Sequence, residues 1–324
     1  LVRVAVSLGV RYVRLTGGEP LVRPDVARLV AMLRAVAGLE EVSMTTNGTL
    51  LAPLAPELAA AGLRRVNISL DTLRPDRFAA ITRRGQIRQV WRGIEAALAA
   101  GLAPVKLNVV VMRGINDDEL ADFARLTLDW PVHVRFIELM RLGETAGWGP
   151  GRFVSAAEMR RRLQEDFPQL EEAPPVCSRG SGPVPGPSPH DGPAYAAPEG
   201  TREGRAPVGH GPARYWRLPG AWGTIGFISQ VSEHACGQCN RLRLSATGVL
   251  RPCLLSPGGL DLRTPLRSGA SDADLTELFL QAAAAKPKQQ EMPQFTAAPQ
   301  PAGAGQAGAG QAAPALPGMW QIGG

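Results

Sequence analysis

The chain has 324 residues, a hydrophobic fraction of 44% and a net charge of +6. That length holds one large domain or two ordinary ones, and no apolar run approaches a membrane span. Aromatics at 5%, with no cluster of Arg and aromatic side chains, speak against stacking on nucleic-acid bases, and four cysteines in so long a chain do not make a disulfide framework.

The sequence opens on Leu1 inside a helix end, shows no signal peptide, and is expected to lack its natural start. Lysine occurs at Lys106, Lys286 and Lys288, and every other basic residue is Arg. Arg forks match phosphate and carboxylate oxygens, so an anionic ligand fits. Solvated Arg in an Arg-rich proteome accounts for most of the rest.

Over residues 1–145 one pattern recurs: a helix end, a Gly, an apolar residue, then a strand. Gly9-Val10 leads to Val13 and Leu15, Gly62-Leu63 to Val66 and Ile68, Gly101-Leu102 to Val105 and Leu107. Gly stops a helix because it accepts a left-handed conformation, and alternation marks a strand with one apolar face. Helical spacing runs from Pro24-Asp25 through Val26, Leu29, Val30, Leu33 and Val36, and again through Ile87, Val90, Trp91, Ile94 and Leu98. Asn116 with Glu119 reads as a capping box ahead of Leu120 and Phe123. Strands near 40–46 and 132–138 complete a parallel α/β series, open or closed into a barrel.

Opposite the apolar strand residues lie Arg14 and Thr16, Ser43 and Thr45, Asn67 and Ser69, Lys106 and Asn108, His133 and Arg135. A closed eight-stranded barrel fills its interior with branched apolar side chains. Polar residues on five strands predict instead a wide, incomplete barrel with a wet, cationic lumen. The loop Thr16-Gly17-Gly18-Glu19-Pro20 lets a ligand approach the backbone, and Glu19 can accept from an amine.

A helix over 153–168 is capped by Ser155 and Glu158 and carries Met159, Leu163 and Phe167 on one face. Residues 173–213, rich in Pro, Gly and Ser, read as a disordered insertion in which Cys177, His190 and His210 are incidental. Order returns at Tyr215-Trp216 and in a strand over Thr224-Ile225-Gly226-Phe227-Ile228. Cys236, Cys239 and Cys253 follow, within 18 residues. A helix from Asp274 to Ala285 precedes another flexible tract, and the chain ends on Gly323-Gly324.

Spacing alone leaves the three cysteines open between zinc, which would need an outside ligand such as His234, and an iron–sulfur cluster with one open iron. Arg241 and Arg243 alternate on a strand after Cys239, so both face one side.

The run Cys-x-x-Cys-Asn-Arg-Leu-Arg-Leu with Gly248 and Pro252-Cys253-Leu254 resembles the GTP 3′,8-cyclase family of radical S-adenosylmethionine enzymes (molybdenum cofactor biosynthesis protein A). So do Arg-Leu-Thr-Gly-Gly-Glu-Pro-Leu (14–21), Thr-Thr-Asn-Gly (45–48), Asn-Ile-Ser-Leu-Asp (67–71), Val-Lys-Leu-Asn (105–108), Arg-Phe-Ile-Glu-Leu-Met (135–140) and the terminal Gly-Gly. The resemblance implies an α/β fold, an incomplete (β/α)6 TIM-like radical SAM barrel with a C-terminal iron–sulfur cluster domain. It implies a 4Fe–4S cluster on Cys236, Cys239 and Cys253 whose free iron meets the guanine of GTP. Arg14, Thr45, Lys106, Arg135, Arg241 and Arg243 match GTP-contacting positions, and Gly18, Ser69 and Met140 match S-adenosylmethionine-contacting ones. Gly323 and Gly324 match a tail that enters the active site and supports catalysis.

The implied organisation is a partial barrel over 1–145, a connecting helix region over 146–172, the insertion at 173–213, and a cluster and substrate-binding domain over 214–285. A low-complexity linker over 286–318 and a diglycine tail over 319–324 complete it. The implied reaction is radical cyclisation of GTP to 3′,8-cyclo-7,8-dihydro-GTP in the cytoplasm, whose product a pathway partner, cyclic pyranopterin monophosphate synthase, converts onward; a homodimer stays open. The family's second 4Fe–4S cluster sits on a Cys-x-x-x-Cys-x-x-Cys segment expected ahead of Leu1, so the chain as given is expected to be inactive. Tyr12 stands where the family often has Lys. The alternatives are another radical SAM enzyme with an auxiliary cluster, such as a peptide-modifying maturase, and a zinc-binding nucleotide-binding module.

Overall fold

The computed structural model describes residues 1–83, 85–140, 150–173, 207, 213–233, 239–256 and 258–287. Cys236, His234, Gly323, Gly324, and the stretches of the insertion that hold Cys177, His190 and His210 lie outside these described residues.

The main sheet contains β1 (Tyr12–Leu15), β2 (Glu41–Thr46), β3 (Arg65–Ser69), β4 (Val105–Val111), β5 (Val132–Glu138), β6 (Glu171–Glu172), β7 (Arg214–Arg217) and β8 (Ile225–Ile228). Its spatial order is β1-β2-β3-β4-β5-β8-β7-β6. Strands β1 to β5 and β8 run parallel, while β7 and β6 extend the far edge antiparallel. The sheet has two ends, so the barrel is incomplete, as the polar strand faces had indicated. The boundary expected at residue 214 does not separate two sheets, because β8 pairs with β5 and β7 pairs with β8.

Helices α2 (Val26–Arg34), α3 (Leu51–Ala60), α4 (Pro75–Thr82), α5 (Ile87–Ala99), α6 (Leu120–Asp129) and α7 (Ala156–Asp166) accompany the sheet, after a short α1 (Val2–Ser7). Val42, Met44, Val66, Ile68, Leu107, Val134 and Phe136 alternate along the strands and join the helices in one buried core. Burying these apolar side chains supplies the main driving force for the layered packing. Gly9, Gly62 and Gly101 follow α1, α3 and α5 at φ +98°, +96° and +72°, the left-handed stop that the sequence pattern required.

Three local expectations give way. Helix α2 starts at Val26, with Asp25 at its N-cap in a left-handed conformation and making no side-chain cap. The Asn116–Glu119 capping box does not form. Asn116 instead donates to the Asp71 and Val110 carbonyls at 2.6 and 2.8 Å. Glu119 accepts from the Thr72 hydroxyl and the Leu73 N–H at 2.6 Å each, and from Arg77. Asn116 thus satisfies backbone carbonyls and Glu119 satisfies backbone and side-chain donors at the β3–α4 connection, which outweighs a local cap. Replacing the fully buried Glu119 with Ala leaves those donors without their acceptor, and a urea melt should show a loss of about 3 kcal/mol.

Beyond the main sheet, β9 (Arg243–Leu244), β10 (Val249–Arg251) and β11 (Leu260–Asp261) form a small antiparallel sheet followed by α8 (Arg263–Arg267) and α9 (Asp272–Ala284). The strand expected directly after Cys239 begins at Arg243, so Arg241 precedes it. Helix α9 starts on a capping box made by Ser271 and Asp274. Its Leu275, Phe279 and Ala282 pack with Leu250 and Leu262 against Val4 and Ala5 of α1, a second core that docks the C-terminal unit beside the first strand.

Candidate functional site

Strand register gathers the polar face. Arg14 lies beside Ser43, and Ser43 beside Arg65. Thr45, Asn67, Lys106 and His133 form one continuous row across β2 to β5. Ser69, Asn108, Arg135, Gly226 and Tyr215 form the next row, ending on β7. In-register neighbours project their side chains to the same side of a sheet. The lumen face is therefore a single surface built by seven neighbouring strands.

That surface is buried and positive. Arg65, Lys106 and Arg135 are 7%, 4% and 6% exposed. Lys106 is held down to about 6 by burial and then by the charges of Arg135, Arg65 and Arg14. Arg14 meets solvent where the barrel is open at β1. Surrounding protein and then Arg135, Arg241 and Arg65 nevertheless lower it to about 10. Arg135 is lowered by burial first, against the stabilising effect of Tyr215, and again by Arg241 and Arg65. His133, with Nδ1 2.8 Å from the Thr224 hydroxyl, is pushed down to about 3 by burial and by Lys106 and Arg135, so its ring is neutral. Glu41 offsets Arg65 through a 2.7 Å ion pair. Among the described residues, no carboxylate pairs with Arg14, Lys106 or Arg135 in this way.

Arg135 donates from one Nη to Asn67 Oδ1 at 2.9 Å, while its buried Nε–H has no partner and neither does Asn108 Oδ1. Buried polar atoms are nearly always satisfied. An orphaned guanidinium donor among like charges is donor chemistry that an anion would satisfy.

The cysteine region adjoins this surface. Arg241 lowers both Arg14 and Arg135, which places it at the lumen. Arg243 is lowered by burial and then by Arg241, and is raised by both Cys239 and Cys253, so the two cysteines share one guanidinium as a neighbour. Burial pushes the Cys239 thiol up, but the Arg241 backbone N–H, Lys286 and the Arg241 charge outweigh it and leave the thiol below its ordinary value. A thiol biased toward thiolate, with a second cysteine close by, is the donor chemistry that iron or zinc requires. Among the described residues no three His, Cys, Asp or Glu side chains gather. The third sulfur of the expected trio, Cys236, lies outside them.

Of the predicted site residues, the structure thus brings Arg14, Lys106, Arg135 and Arg241 together, puts Thr45 in the Lys106 row, and links Arg243 to Cys239 and Cys253. Gly18 follows β1, Ser69 ends β3 and Met140 follows β5, all at the C-terminal ends of parallel strands, where ligands bind in such folds. Glu19 is a clasp rather than a free acceptor. Its oxygens take the Leu21 N–H at 3.0 Å, the Thr46 hydroxyl at 2.7 Å and the Asn47 N–H at 2.7 Å, tying the loop after β1 to the loop after β2. Sequence reasoning missed Arg65, Tyr215 and Arg251. Arg65 continues the alternation of Asn67 and Ser69 by one more step and was within reach of that pattern. Arg251 sits directly opposite Arg243 in the small sheet, a pairing that only the hairpin register reveals.

Residues 1–127 match the model of the radical SAM superfamily, and residues 197–292 match Molybdenum Cofactor Synthesis C. The GTP 3′,8-cyclase of Heliobacterium modesticaldum is 53% identical over 292 residues, covering 90% of this chain and 80% of that protein. The enzymes of the same name from Moorella thermoacetica and Desulforamulus reducens are 48% and 46% identical over the same shares.

Proposed function

The chain belongs to the GTP 3′,8-cyclase family, and on that premise we propose that its cationic lumen binds the triphosphate of GTP while the cysteine region presents an iron–sulfur cluster to the guanine. The protein is an enzyme of the radical SAM class, acting on GTP in molybdenum cofactor biosynthesis. The observation that supports this use of the lumen best is the orphaned Nε–H of Arg135, buried among Arg14, Arg65, Lys106 and Arg241. Phosphate oxygens would supply acceptors for the unpaired donors and would offset the mutual repulsion of the cations.

Cys236, Cys239 and Cys253 would hold a 4Fe–4S cluster, and Arg241 and Arg243 would bridge from that cluster to the nucleotide. Gly18, Ser69 and Met140 would border S-adenosylmethionine at the mouth, and Gly323 and Gly324 would enter the active site and support catalysis. The family's further 4Fe–4S cluster, with S-adenosylmethionine bound, would supply the one-electron chemistry. This chain's own side chains bind GTP, fix the sugar relative to the base, and exclude water from the lumen. Thiolate ligands need reducing surroundings, which suits a cytoplasmic enzyme handing its product to cyclic pyranopterin monophosphate synthase. No described helix is long and apolar enough to cross a membrane.

Lys106 gives this reading a pH dependence. With its pKa held to about 6, the free protein carries it mostly neutral at pH 7.5. An arriving triphosphate favours the ammonium, so binding takes up a proton. Affinity should then fall as pH rises above about 6, until the bound-state pKa is passed. Calorimetry in buffers of different ionisation enthalpy should show proton uptake that K106M lacks, the K106M control removing any contribution from GTP itself.

The function is tested by anaerobic reconstitution with iron and sulfide, followed by addition of GTP. A cluster chromophore whose electron paramagnetic resonance spectrum changes with GTP, and not with ATP, is expected. Material that takes up zinc alone, with no sulfide, is a nucleotide-binding module instead.

A further inference from the structure

Lys286 falls at the start of the tract that the sequence assigns to a low-complexity linker. The structure makes it part of the cysteine region. Its Nζ donates to the carbonyl of Arg241 at 2.7 Å and to the carbonyl of Pro252 at 3.1 Å. Arg241 lies two residues after Cys239, and Pro252 immediately precedes Cys253. The same ammonium helps to hold the Cys239 thiol below its ordinary value. One side chain therefore spans both segments that carry the described cysteines.

The position of that side chain is fixed from below. Lys286 follows the last turn of α9, whose Leu275, Phe279 and Ala282 are locked into the second core with Leu250 on β10. Its backbone N–H closes the helix end on the Ala283 carbonyl at 3.2 Å. The choice of residue is specific too. In a chain whose cations are otherwise Arg apart from Lys106 and Lys288, this place holds a Lys. A compact ammonium with three donors can point at two carbonyls in divergent directions, which a planar guanidinium fork cannot.

We propose that Lys286 is a positioning residue for the cluster ligands. It staples the Cys239 and Cys253 segments together before any iron arrives, and it sets a fixed positive charge beside the Cys239 sulfur. The inference rests on the cluster reading given above. Hydrogen bonds and charge near ligating sulfurs set cluster potentials, and outer partners of metal ligands commonly hold affinity within a tenfold to hundredfold range.

The test compares wild type, K286M and K286R in the full chain. Cobalt(II) titration under reducing conditions reads the thiolate set through its sulfur-to-metal charge-transfer band, and potentiometry on iron-reconstituted protein reads the cluster. K286M should lose about tenfold or more in cobalt affinity. Its cluster should also show a more negative midpoint potential, because the reduced, more negative cluster loses a cation. K286R should restore the potential while recovering the affinity only in part. A K286M protein within twofold of wild type in cobalt affinity, or with an unchanged potential, overturns the proposal. If K286M melts early, K286R decides: wild-type affinity in that variant would show that the lysine geometry is not needed. Wild-type protein that forms no iron–sulfur chromophore refutes the cluster reading itself, a result separate from either outcome for Lys286.

Discussion

R135M should weaken GTP binding by about 10- to 100-fold, the worth of one or two charge-assisted hydrogen bonds to a phosphate. The same variant should leave the ligand-free protein no less stable. Arg135 is buried, lacks a partner for Nε, and is the first-named charge pressing on Lys106 and on Arg14. A Met of similar length removes a desolvated cation, which offsets the loss of the hydrogen bond to Asn67 Oδ1. The pairing of lost affinity with retained or raised Tm separates a residue kept for its ligand from one kept for the fold. Calorimetry with GTP and a thermal melt of the free protein read the two halves. A fall in Tm by many degrees with unchanged GTP affinity would instead make Arg135 a structural residue.

The second large effect concerns the cysteines. C239S and C253S should each abolish stable cluster assembly, because a serine oxygen is a hard, poorly ionised ligand where a soft thiolate is needed. C239S has the sharper expectation, since its thiol is the one held below its ordinary value by the Arg241 N–H and Lys286. Iron and sulfide analysis after reconstitution should fall to background in both, while far-ultraviolet circular dichroism stays as in wild type. The core around α9 and β10 does not depend on either sulfur. Full iron loading in C253S would remove that residue from the ligand set.

Much of the lumen was legible because period-two alternation is a strict consequence of strand geometry. Once Val66 and Ile68 were placed on the apolar face, Asn67 and Ser69 had to lie on the other, and the register of β2 to β5 agrees row by row. Arg65 escaped because it adjoins Arg64 just after a helix-ending Gly, where a pair of Arg reads as a solvated turn. Tyr215 and Gly226 marked order but not function, since nothing local says that a strand about 80 residues after β5 will pair beside it.

Tertiary demands overrode local grammar in three other places. Asn116 and Glu119 have the spacing of a cap but are used to satisfy the β3–α4 connection. Helix α3 was announced only by its Gly62 stop, and packing on α5 holds it together despite Pro56 inside it. Lys286 was assigned to a linker on composition. A lysine's use depends on which carbonyls α9 brings under it, and composition carries no such information.

The phosphate-gripping role of the lumen is read most directly by comparing GTP, GDP and guanosine as ligands of the same reconstituted protein at two salt concentrations. The expected result is a stepwise loss of affinity, about 100-fold or more from GTP to guanosine, with a salt dependence that disappears for guanosine. Equal affinity for guanosine and GTP, insensitive to salt, would contradict the assignment of Arg14, Lys106 and Arg135 to the triphosphate.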